Sequence, residues 1–172
     1  MKAFWALIPL LIIRFIVLGM LDKHALKRAA YFPRRAGKEI PAYIVYQISN
    51  IFIFLLLFFL RINVDAPLFF VGLVVYGFGN SVCLIAAVNF AGPQKNGFNN
   101  NGLYKISRHP MYIGYFLYFL GCVLLTDSLL LLALVAVFQV SAHWIILSEE
   151  RWCVEKFGEE YILYMNKVRR YL

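Results

Sequence analysis

The chain is poor in charge, poor in histidine and without paired cysteines. Only 15% of its 172 residues are Asp, Glu, Lys or Arg, where an ordinary soluble domain has about 25%. Hydrophobic residues make up 62%, and mean hydropathy is +0.72. That balance excludes a soluble globular fold and points to an integral membrane protein. Cys83, Cys122 and Cys153 are scattered, with no C-x-x-C pair, and two lie in apolar runs. A disulfide framework or a zinc site is therefore not expected. His24, His109 and His143 stand far apart in sequence, so no metal centre is expected either. Repeats, low-complexity tracts and a soluble-domain segment are also missing. An A-x-A-like cleavage site is absent after the first apolar run, which argues for a spanning helix over a signal peptide.

What is present is a series of apolar runs long enough for membrane helices, each needing roughly 20 residues. The pattern predicts spans at 3–21, 40–60, 68–90, 110–125 and 129–148, and a tail at 149–172. The expected fold is all-α: one membrane unit over 1–172, a polytopic bundle of about five transmembrane helices. Spans four and five form a helical hairpin about Thr126, Asp127 and Ser128. Gly72, Gly77 and Gly79 in the third span suit close helix packing, and the G-F-G there has no strand-turn-helix context for a nucleotide. Arg14 breaks the first span. It either snorkels to the interface or faces a polar cavity, and both readings stay open.

The 17 basic residues outnumber 9 acidic ones, yet they fall between apolar runs, so no nucleic-acid partner is expected. Fourteen of them lie in the first loop, the third loop and the tail. Positive-inside asymmetry then puts those segments in the cytoplasm. The basic loop 22–39 reads as a topology signal with affinity for anionic membrane lipids. The tail repeats Cys153, Phe157, Tyr161, Tyr164 and Val168 at helical spacing, as an amphipathic C-terminal helix would.

The most polar stretch is N-N-N-G-L-Y-K-I-S-R-H-P-M-Y-I-G, Asn99 to Gly114. Pro110 suits the first position of a helix, which puts Ser107, Arg108 and His109 at its mouth, where free N–H groups hold anions. Simple capping by Ser107 or His109 is the plainer alternative. A second polar group, Glu149-Glu150, closes the fifth span. The hairpin returns it to the same membrane face, where it either meets the basic helix mouth or is merely solvated or paired with Arg108 and Arg151.

G-L-Y-K-I-S-R-H-P-M-Y-I-G, then E-E, then F-G-E-E-Y-I-L-Y-M-N-K-V-R-R resembles the isoprenylcysteine carboxyl methyltransferase family and the related membrane phospholipid methyltransferases. The resemblance covers about residues 89–172. It implies S-adenosyl-L-methionine as cofactor, with contacts at Asn89, Asn96, Gly97, Phe98, Asn99, Tyr104, His109, Pro110, Met111, Tyr112 and Glu149. The acceptor would be lipid-like, with a carboxylate, amine or thiol to methylate, and no protein partner is implied. Arg108 is the candidate for orienting an anionic acceptor, or else it pairs with Glu150 or lipid phosphate. His143, Glu150 or a tyrosine would be the base that an amine or thiol acceptor needs. One departure is Ile145, which stands where the eukaryotic carboxyl methyltransferases have a substrate-binding arginine. The R-H-P block and tail also resemble NADPH-dependent membrane sterol reductases, and a non-catalytic lipid-binding protein is a third reading. The expected location is a bacterial cytoplasmic membrane, with the site facing the cytosol.

Overall fold

Asp127 carries the turn on which the fold pivots. Its φ is +50°, in the left-handed region, where Asp is one of the few non-glycine residues tolerated. It ends one helix, and Ser128 opens the next by accepting a hydrogen bond from the Leu131 N–H at 3.2 Å. The computed structural model describes residues 1–22, 33–34, 37, 39–92 and 97–171. Among them the chain forms no β-strand, a 3-10 turn at Gly102–Lys105 and six longer helices. These are α1 (Ala3–Leu21), α2 (Glu39–Phe59), α3 (Phe69–Ala91), α4 (Pro110–Thr126), α5 (Leu129–Phe157) and α6 (Glu159–Lys167).

Helices α1, α2, α3 and α5 are each long and apolar enough to cross a membrane, and α4 is shorter at 17 residues. Phe70, Val74, Leu129 and Val140 are exposed on their outer faces. Such a surface is a liability in water and is the expected one against lipid. Of the basic residues between the first two helices only Arg34 is described.

The first four predicted spans match the helices to within a residue, but the fifth does not. We expected it to end at 148 and give way to a separate amphipathic tail. Instead α5 runs on to Phe157. The polarity change at Glu149 marks where the chain leaves the apolar layer, and helical hydrogen bonding is indifferent to that. The stop is Gly158, with φ +57°, a conformation glycine adopts without a Cβ penalty. Cys153, Phe157, Tyr161, Tyr164 and Val168 do gather, around Phe98 in the preceding loop, but across the bend between α5 and α6.

Packing falls into two tight seams. In one, α3 and α4 lie against each other along their length through glycines. A Cβ at Gly79 would come within 2.4 Å of the Tyr118 nitrogen, and one at Gly121 within 2.5 Å of the Tyr76 backbone. Small residues let the two backbones touch. In the other, α2 lies along α5, with Tyr46 stacked on Phe138 at 4.8 Å. Helices α4 and α5 follow each other in sequence yet approach less closely than either of these pairs. Helix α1 is pinned to the first seam, because Tyr76 and Tyr118 both donate their hydroxyls to the Ala6 carbonyl, at 2.9 and 2.8 Å.

Candidate functional site

Where α4 begins, the α4–α5 seam is lined by polar residues, from the start of α4 and from the last third of α5. His109 lies between the two adjacent carboxylates. Its Nε2 is 3.2 Å from Glu150 and its Nδ1 is 3.7 Å from Glu149. Tyr112, one turn into α4, donates its hydroxyl to Glu149 at 2.7 Å.

Glu149 and Glu150 occupy different worlds although they are neighbours, because consecutive helical positions point about 100° apart. The Glu150 side chain is 4% exposed. One of its oxygens accepts from Arg108 Nε and Nη2, both at 2.9 Å, and the other from Arg170 Nε at 3.0 Å and Nη2 at 2.7 Å. Arg108 spends its remaining nitrogen, Nη1, on the carbonyls of Met165 and Val168, just where α6 ends and needs donors. So Arg108 pairs with Glu150, the second of its two expected roles. Arg151, the other alternative partner of the acidic pair, reaches Glu39 of α2 instead, with Nη2 at 2.7 Å from Oε2. Glu149 is 27% exposed and shares no salt bridge with a described Arg or Lys.

The helix mouth is filled by the protein itself. Arg108 N–H donates to the Arg169 carbonyl at 2.9 Å, and Ser107 Oγ donates to the Arg170 carbonyl at 3.0 Å. The same oxygen accepts from His109 N–H at 3.1 Å. The strap that follows α6 thus docks at the expected anion slot, and no side chain caps α4, because Ser107 Oγ meets the N–H of His109, the N-cap residue itself.

The loop before α4 is organised by Asn89 at the end of α3. Its Oδ1 accepts from Leu103 N–H at 2.9 Å. Residue 102 must be glycine for this, since φ is +49° and a Cβ would stand 2.1 Å from that oxygen. Asn99 donates to the Phe90 carbonyl, Phe98 is buried against α6, and Gly97 lies against Phe157. Tyr104 is buried, and its carbonyl accepts from Tyr164 Oη at 2.6 Å. Burial pushes the Tyr104 phenol well above its usual range, with the charge of Glu149 adding to the effect, so it remains a neutral donor. Buried Asn101 Oδ1 has no hydrogen-bond partner among the described residues. Pro110 and Met111 form the first turn of α4. Asn96 lies outside the described residues.

His143 is not brought into this group. It stands about 9 Å along α5 from Glu149, with Nδ1 2.8 Å from Tyr171 Oη. Arg14, left open between the lipid interface and a polar cavity, belongs to the neighbourhood through its bond to Tyr115, and neither Tyr115 nor Tyr46 was anticipated there. Arg170 was missed as well. The R-R pair near the end of the tail was the available signal, but nothing local says that it folds back onto Glu150.

A partly open carboxylate beside a tyrosine ring suits a ligand that carries positive charge or hydroxyl donors. Comparison with known proteins points the same way. A family model described as phospholipid methyltransferase matches residues 68–160. Protein-S-isoprenylcysteine O-methyltransferase of Saccharomyces cerevisiae is 40% identical over an alignment covering 39% of this chain and 28% of that protein. The match therefore spans little more than a quarter of the yeast relative.

Proposed function

Because the chain belongs to the phospholipid methyltransferase family, we propose that it is an S-adenosylmethionine-dependent methyltransferase acting on a lipid-like acceptor at the membrane. The observation that carries this is the contrast between Glu150, saturated by two arginines, and Glu149, held by Tyr112 and His109 with a quarter of its surface open. When bound, the cofactor supplies a methyl group made electrophilic by a sulfonium. Glu149 balances that positive charge or accepts from ribose hydroxyls, and Tyr104 and Tyr112 offer aromatic faces to it. His109, Pro110 and Met111 line the first turn beneath, and Gly97, Phe98 and Asn99 close the loop side, braced by Asn89. The chain's contribution is alignment and a dry, preorganised electrostatic site.

Arg108 and Glu150 act here as positioning residues, since their polar atoms are spent on each other, on Arg170 and on α6. His143 would serve as base only for an amine or thiol acceptor. The basic asymmetry supports a site on the cytosolic face of a membrane, the bacterial cytoplasmic membrane in this reading. Engagement of Arg108 and Arg170 by Glu150 also disfavours the NADPH alternative, whose 2′-phosphate calls for basic groups.

The test is titration of the purified protein with S-adenosylhomocysteine and with NADPH. S-adenosylhomocysteine is expected to bind, and Glu149→Ala and His109→Ala to weaken it by about tenfold or more. Unchanged affinity in both variants would move the pocket elsewhere. Binding of NADPH alone would favour the reductase, and binding of neither a non-catalytic lipid-binding protein. Labelled S-adenosylmethionine with a total lipid extract then identifies the acceptor.

A further inference from the structure

The strap that follows α6 runs toward the apolar layer, and the exposed side chains beside it are basic. Ser107 and Arg169 form a parallel backbone bridge, closed by the Arg108 N–H on the Arg169 carbonyl at 2.9 Å. Two residues further on, Tyr171 Oη meets His143 Nδ1 at 2.8 Å. His143 lies about 9 Å from Glu149 along α5, on the side of the apolar run. Tyr171 therefore reaches down into the bilayer edge, where tyrosines collect, and Arg169 stands at the level of the lipid headgroups.

Lys105 and Lys167 each precede a bridged residue by two positions, so each lies within about 7 Å of the bridge along the chain. Lys105, Lys167 and Arg169 are all exposed, and Ile106 among them is 61% exposed. None of these three cations has a hydrogen bond or ion pair from its side chain to a described residue. Their structural duties are already filled. Arg108 satisfies the Met165 and Val168 carbonyls where α6 ends, and Arg108 and Arg170 saturate Glu150. The acids of α6, Glu159 and Glu160, lie in its first turn, about 10 Å along the axis from Lys167.

We infer that Lys105, Lys167 and Arg169, gathered round Ile106 by the Ser107–Arg169 bridge, form a binding surface for anionic phospholipid headgroups of the adjoining leaflet. Charge complementarity supplies the attraction, worth about fivefold in binding for each cation near such a surface. Ile106 enters the boundary between headgroups and acyl chains, as apolar residues flanked by cations do. Long basic side chains reach the phosphates from there. The surface is independent of the reaction the chain performs.

The experiment uses the full chain in detergent micelles, with dioleoylphosphatidylglycerol and dioleoylphosphatidylcholine as probes and native mass spectrometry to read the lipids retained. The wild type is expected to hold the anionic lipid about tenfold or more tightly than the zwitterionic one. Lys105→Gln/Lys167→Gln/Arg169→Gln should lower that preference about fivefold or more. Removing three charges from the other basic segment, in Lys23→Gln/Lys27→Gln/Arg28→Gln, should leave most of it. Circular dichroism checks that each variant keeps its helices, and if the first triple does not fold, its three single variants are compared in the same way. The inference is overturned if the wild type holds both lipids alike, or if the first triple retains the preference. Equal losses in the two triples would also overturn it, since net charge alone would then account for the binding. Displacement of the lipid by soluble glycerol phosphate at equal concentration would make this a free-phosphate site and overturn the headgroup assignment.

Discussion

Helix α4 has two neighbours and treats them in opposite ways. Against α3 it presents Gly114, Tyr118 and Gly121, and the backbones meet with no room for an added methyl. Against α5 it presents His109 and Tyr112, and the helices stand apart around carboxylates. The first seam is a fixed wall made by leaving side chains out. The second is a polar wedge made by putting charged ones in. A membrane interior offers no water to satisfy such groups, so the wedge exists only because each charge is answered by another residue or left for a ligand. One helix serves as both anchor and jaw.

The contrast can be broken by substitution. The largest effect should come from the wedge itself. Glu150→Ala leaves the 8%-exposed Arg108 without its carboxylate, and breaking a buried pair on one side costs about 3–5 kcal/mol, measurable as lost unfolding free energy in mixed micelles. A variant as stable as wild type would mean that the clamp is ornamental. Next is the wall. Gly79→Val drives a Cβ into the Tyr118 backbone and should cost about 1–3 kcal/mol by overpacking. S-adenosylhomocysteine affinity of the surviving folded protein should stay put, because the wall is not the site. The smallest effect is expected at Arg151, 42% exposed and paired with Glu39. Arg151→Ala should change stability by about 0–1 kcal/mol and lose even that in high salt.

The bundle could be read from the chain because membrane crossing depends on composition over about twenty residues, and composition is local information. Where α5 stops was also written there, in Gly158, but was overshadowed by the louder change from Ser148 to Glu149. The site was half legible. His109, Tyr112 and Glu149 stand in blocks whose order carries a family resemblance, and the hairpin brings them together. Arg170 and Arg14 were not legible, for a physical reason. Each acts through a contact on an element remote in sequence, the strap on Glu150 and α1 on Tyr115, and no periodicity within either segment encodes that meeting. Arg14 in particular posed a choice between lipid interface and interior that only the π-helical turn of α1 at Ile12–Val17 and the position of α4 resolve.

The double grip on the Ala6 carbonyl by Tyr76 and Tyr118 makes α1 behave like a keyed shaft. With the shaft locked at that point, the azimuth of Arg14 eight residues later depends on the count of intervening residues. Gaining or losing one would rotate the guanidinium about 100°, out of the cleft and into lipid tails. Apolar side chains there are interchangeable as far as the bilayer is concerned. The lipid-facing letters of this stretch can therefore be rewritten, but not the number of residues in it.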